Sequence, residues 1–176
     1  MRKLTISAEC LSTEVQRREE IECVHNYLRV FMRELGYPRD TKYSTSRNPT
    51  YRALQATGEI LSNLMEFNKN EELTIYMKGN KHRLGIYLRL PKQDNFDYAA
   101  EGRKIGALIA SGTDQDSFSR IQEKQAKDED KGRHGHAGLG CFYAQIFADG
   151  IKTRQWLNNG KEGTEVFILI RRNRKY

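Results

Sequence analysis
The apolar residues of this chain fall into a small number of runs with clear periods. Residues 3–7 alternate polar and apolar as a half-buried strand does, and Thr13 with Gln16 then forms a capping box opening a helical pattern. Ile21, Val24, Leu28, Phe31 and Leu35 recur at spacings of three and four, with Tyr27 and Val30 widening the stripe, until Gly36 and Pro38 end it. A polar, turn-rich stretch follows over residues 39–50. Within it Asn48 and Pro49 supply an N-cap and a first-turn proline for a second helix over about 51–67, with Leu54, Leu61, Leu64 and Met65 on its apolar face.

Residues 73–77 and 84–90 read as two strands of a β-hairpin joined by a glycine-bearing turn at 78–81. The segment 91–138 is long and polar, with helical signals only around 98–109 and 118–127, the kind of insertion that carries function. A third helix is predicted from Leu139, with Phe142, Tyr143, Ile146 and Phe147 on one face and Gly150 as its left-handed C′ residue. Strands at 151–157 and 166–170, around the turn Asn158-Asn159-Gly160, form a second hairpin, with Trp156 packed in it. This order predicts an α+β fold, a two-layer α/β sandwich with a mostly antiparallel sheet covered by helices on one face.

The chain has 176 residues, enough for one domain spanning 1–176 with a real core. No run approaches the length of a membrane span, and no apolar segment follows Met1-Arg2-Lys3, which predicts a cytoplasmic protein with no membrane contact. Cys10, Cys23 and Cys141 are scattered, which argues against a disulfide framework and predicts reduced thiols. The net charge of +7 is interspersed rather than blocked, apart from the C-terminal run Arg171, Arg172, Arg174 and Lys175. That run could touch nucleic acid, anionic lipid or an acidic partner protein, and as a function nucleic-acid binding has less support from sequence than the two readings given below.

Two local patterns carry candidate chemistry. Glu59 and Asn63 are four apart on the second helix and share a face, pairing a carboxylate able to act as a base with a carboxamide oxygen suited to Mg²⁺. His134-Gly135-His136-Ala137-Gly138-Leu139-Gly140 leads into the third helix, where glycines let backbone N–H groups approach phosphates. His134 and His136 with Cys141 fall short of the three or four convergent ligands of a metal site; the histidines read instead as surface groups or phosphate contacts, and as a phosphate contact His136 has Lys131 and Arg133 as equal alternatives.

Taken in order, these blocks resemble the GHKL superfamily of ATP-binding domains, which includes gyrase, MutL and the histidine kinases, and most closely its bacterial anti-sigma factor serine kinases. Glu59-Ile60-Leu61-Ser62-Asn63 looks like the family's N box, Gly138-Leu139-Gly140 like its second glycine box, and Gly163-Thr164-Glu165-Val166 like its final glycine-threonine turn. The resemblance implies a histidine kinase-like ATPase fold with ATP and Mg²⁺ as cofactors. Glu59 would be the general base, Asn63 the Mg²⁺ ligand, Gly138, Leu139, Gly140 and His136 triphosphate contacts beneath a lid at about 91–138, and Thr164 a neighbour of adenine. It also implies serine/threonine kinase or ATPase activity, a protein partner of the sigma-factor or antagonist type, and a homodimer.

One block departs from the pattern. Where the family carries Asp-x-Gly-x-Gly, the chain reads Arg89-Leu90-Pro91-Lys92-Gln93-Asp94-Asn95, with Leu90 or Pro91 at the adenine-binding aspartate's position. Loss of that buried acceptor costs on the order of 1–3 kcal/mol. A degenerate module that captures a partner with little or no nucleotide turnover is therefore the alternative expectation.

Overall fold
The computed structural model describes residues 1–7, 13–67, 72–91, 144–158 and 161–173. The first helix, α1 (Glu14–Glu34), starts where the capping box requires: the Thr13 hydroxyl accepts from the Gln16 amide at 3.2 Å, and the Gln16 side chain accepts from the Thr13 amide at 3.1 Å. It ends at Gly36, whose φ of 78° lets the chain reverse while Gly36 N–H donates to Arg33 O at 2.9 Å and Tyr37 N–H to Met32 O at 3.0 Å. Val24, Leu28, Phe31 and Met32 are buried, whereas Val30, expected on the stripe, is 38% exposed. At about 100° per residue Val30 stands roughly 200° around from Leu28, on the far side of the helix.

The second helix, α2 (Pro49–Phe67), is nucleated by Asn48, whose Oδ1 accepts from the amides of Thr50 at 2.8 Å and Tyr51 at 3.2 Å. Its four expected core residues are buried, and so are Ala53, Ala56, Thr57 and Ile60. A helix buried around so much of its girth has neighbours on two sides. α1 packs on one and the sheet on the other.

The sheet has five strands in the order β1-β2-β3-β5-β4, every pair antiparallel: β1 (Arg2–Ile6), β2 (Leu73–Gly79), β3 (Arg83–Pro91), β4 (Gly150–Asn158) and β5 (Lys161–Arg171). Alternate residues Leu73, Ile75 and Met77, Leu84, Ile86, Leu88 and Leu90, and Val166, Ile168 and Ile170 join the helices in one core cluster. This is the two-layer α+β arrangement expected from the order of the elements.

Three details differ from the sequence reading. β5 begins at Lys161 rather than Val166, so Gly163 and Thr164, expected in a turn, pair within the ladder. The first hairpin turns at 80–82 rather than 78–81, because Asn80 Oδ1 accepts from the amides of His82 at 2.9 Å and Arg83 at 3.1 Å. Gly79 remains in the strand, where a Cβ would lie 2.8 Å from Arg83 O. The third helix is one turn at 144–147 in the described residues, and its expected start at Leu139 lies outside them. Gly150 is not a left-handed cap. It begins β4, and Asp149 N–H already bonds to Leu169 O at 2.8 Å, so sheet pairing takes over at once from the helical turn.

Candidate functional site
α2 brings Glu59 and Asn63 together as one-turn neighbours along its length. Asn63 is only 8% exposed. Glu59 is half-buried, and loss of solvent holds its carboxyl above the ordinary value of 4.5. Next to this pair Gly58 leaves space for the ring of His25 from α1, because a Cβ there would lie 3.0 Å from His25 Nε2. Burial in that contact lowers the His25 pKa below 6.5 despite Glu22, whose carboxylate lies 3.8 Å from Nδ1.

A carboxylate and a carboxamide oxygen are hard donors of the type Mg²⁺ accepts when phosphates and water complete its shell. Glu59 and Asn63 supply one donor of each kind, four residues apart on α2. Among the described residues no group of three or more His, Cys, Asp or Glu side chains converges, so a site closed by protein ligands alone is not formed there.

Thr164 lies in β5, paired with Leu90 of β3 and Gln155 of β4. Leu90 is 1% exposed and contributes to the core, and its carbonyl oxygen accepts from the Trp156 indole N–H at 3.0 Å. Gly163 makes this crossing possible: a Cβ would sit 1.9 Å from Leu90 O and 2.7 Å from the indole nitrogen. Gly138, Leu139, Gly140 and His136 lie outside the described residues, as do Cys10 and Cys141, while Cys23 is exposed with a free thiol.

Sequence reasoning missed two charged clusters. Arg52, 0% exposed, spans from α2 to Asp149 and to the carbonyls of Phe147 and Arg171. Nothing in its local sequence separates it from a surface arginine. Glu165, also 0% exposed, takes Arg89 on one side and Arg154 on the other. That cluster is fixed by register, since the pairing of Asn158 with Lys161 sets, four steps on, Arg154 opposite Glu165.

No helix among the described residues is long and apolar enough to cross a membrane. Compared with known proteins, the chain matches no family model and no curated protein.

Proposed function
We propose that this chain is a cytoplasmic ATP- and Mg²⁺-binding regulatory protein that phosphorylates or sequesters a protein partner, in the manner of the anti-sigma factor serine kinases it resembles. The observation that carries this reading is the half-buried Glu59, its proton affinity raised, one helical turn from the buried Asn63. A carboxylate whose pKa is raised by burial is a better base at neutral pH than an exposed one. Asn63 would hold Mg²⁺, which when bound neutralises phosphate charge. Glu59 takes the proton of a partner's serine hydroxyl; the serine oxygen bonds to the γ-phosphorus as the bond to the β-phosphate oxygen breaks, leaving ADP. Thr164, in β5 between Leu90 and Gln155, is assigned to the base pocket, and the resemblance adds a homodimer as the working assembly.

A second reading rests on Leu90. A buried leucine whose carbonyl is already bonded offers no carboxylate to an adenine amino group. This favours a protein-interaction module that keeps the fold with little turnover.

Calorimetric titration with ATP and ADP, with and without Mg²⁺, separates the two. Mg²⁺-dependent binding in the micromolar range supports the kinase reading, whereas no heat at millimolar nucleotide leaves the interaction module.

A further inference from the structure
The helices cover one face of the sheet, and strand register decides what occupies the other. Across all five strands one row reads Lys3, Tyr76, Tyr87, Phe167, Lys152, each residue directly opposite the next. The Tyr87 and Phe167 rings are 4.8 Å apart and tilted by 34°. Both lean over Gly85, where a Cβ would lie 2.9 Å from the Phe167 ring and 3.2 Å from Tyr87. Glycine at that one position allows two rings to lie down over the backbone.

The adjoining row extends this surface. The Arg89 guanidinium lies 4.6 Å from the Tyr76 ring centroid and 5.8 Å from that of Trp156, while its Nε donates to Glu165. Flat π systems therefore continue from Tyr76 through Arg89 to Trp156 beside the Tyr87–Phe167 pair. All four aromatic residues are half-buried rather than covered.

Around these rings the exposed charged strand residues of the same face are Lys3, Lys78, Arg83, Lys152, Arg154 and Arg171, joined by the exposed Thr5. Glu165 is the one acid on the described strand residues of this face, and it is fully buried between Arg89 and Arg154. Charges that are interspersed in sequence thus collect on one side, because alternate strand residues share a face.

An aromatic floor with a cationic rim matches a polyanion that carries exposed planar groups. A second copy docking symmetrically would set this positive rim against itself. An acidic polypeptide would satisfy the rim and leave the rings without matching planar groups. Duplex bases are stacked on one another and present no free face to a flat surface.

We propose that this face binds single-stranded nucleic acid, its bases stacking on Tyr87, Phe167 and Trp156 and its phosphates following the basic rim. The surface is on the side of the sheet away from α2, so it is independent of Glu59 and Asn63.

Trp156 is the single tryptophan of the chain, so its emission reports on this face alone. The test titrates the full chain with oligothymidine and oligouridine of about ten nucleotides, following Trp156 emission and the anisotropy of an end label. The expected result is binding with quenched emission, a slope of log K against log salt of about −0.7 per phosphate contacted, and about tenfold weaker binding of a duplex of equal length. Tighter binding of oligouridine assigns RNA through its 2′-hydroxyls, and the reverse assigns DNA. Lys152→Glu, an exposed change that leaves the core intact, should weaken binding about tenfold. Arg18→Glu, the same charge change at a side chain 78% exposed on α1, should leave it unaltered.

Equal losses in the two variants would reduce the effect to net charge and overturn the proposal. So would duplex binding as tight as single-strand binding, the absence of quenching at low salt, or polyglutamate bound as tightly with the same quench. Concentration-dependent self-association abolished by Lys152→Glu, with no oligonucleotide binding, would assign the face to a second copy instead.

Discussion

The guanidinium of Arg52 and the carboxylate of Asp149 form an ion pair at 2.8 Å, with side chains 0% and 6% exposed. It joins α2 to the start of β4, and both partners reach further: Arg52 to the carbonyls of Phe147 and Arg171, Asp149 to the amide of Arg171. The two charges are thereby paired where water cannot reach them, through both terminal nitrogens of Arg52, while its buried Nε makes no bond. Arg52→Ala leaves the Asp149 charge buried and two carbonyls short of a donor, which should cost about 3–5 kcal/mol of stability. Arg52→Lys should recover only part of this, since an ammonium lacks the planar fork that serves several acceptors at once. Urea unfolding monitored by circular dichroism checks both, and a loss below about 1 kcal/mol for the alanine variant would show the pair to be dispensable.

The pH dependence of stability has two opposed contributions. Folding raises the Glu59 pKa, so the native state binds more protons at that site and stability falls as pH rises through the folded value. Glu59→Gln should therefore raise the melting temperature at pH 7, with the gain fading as pH falls towards 4.5. Folding lowers the His25 pKa, so its contribution is complete above 6.5 and is lost as pH drops below that value. His25→Gln should flatten the acid limb between 6.5 and the folded value. Melting curves across this range read both signs, and parallel profiles for parent and variants would refute them.

If Glu59 is the base and Asn63 the Mg²⁺ ligand, their alanine variants differ in kind. Glu59→Ala should abolish phosphoryl transfer while ATP still binds, because a base acts on the transition state. Asn63→Ala should weaken Mg²⁺-dependent binding itself. Calorimetry alongside a turnover assay distinguishes the two, and unchanged turnover in both variants would sink the kinase reading.

How much could be read in advance depended on whether information was local. Thr13 and Gln16 start α1, Gly36 ends it, and Asn48 with Pro49 starts α2, because caps depend on residues within one turn. Val30 was misplaced because a broad stripe of threes and fours can be drawn one residue too wide. Gly150 failed as a cap because pairing with β5 overrides the local preference of a glycine. Glu59 and Asn63 were legible as a shared helix face, but nothing local separates a half-buried carboxylate from a solvated one. The aromatic row required the pairings of β1 with β2 and β3 with β5, which join residues distant in sequence.

The corner formed by Leu90, Gly163 and Trp156 yields the sharpest test of packing. Trp156 crosses the backbone of Gly163 to reach Leu90 O at 3.0 Å, and an alanine methyl at 163 would lie 1.9 Å from that oxygen. No side chain can yield to relieve this contact, since the oxygen belongs to the backbone of the neighbouring strand. Gly163→Ala must therefore push β3 and β5 apart at the Pro91–Gly163 pair and displace the indole, with an expected cost of about 3 kcal/mol. Trp156→Phe removes the indole donor and shrinks the ring, and the lost bond to the Leu90 carbonyl accounts for about 1 kcal/mol of its cost. The two effects share one contact, so the double variant should be less destabilised than the sum of the singles. Additive losses would mean that the indole and the glycine act separately, and a stable Gly163→Ala would mean that the strand pair is looser than its register requires.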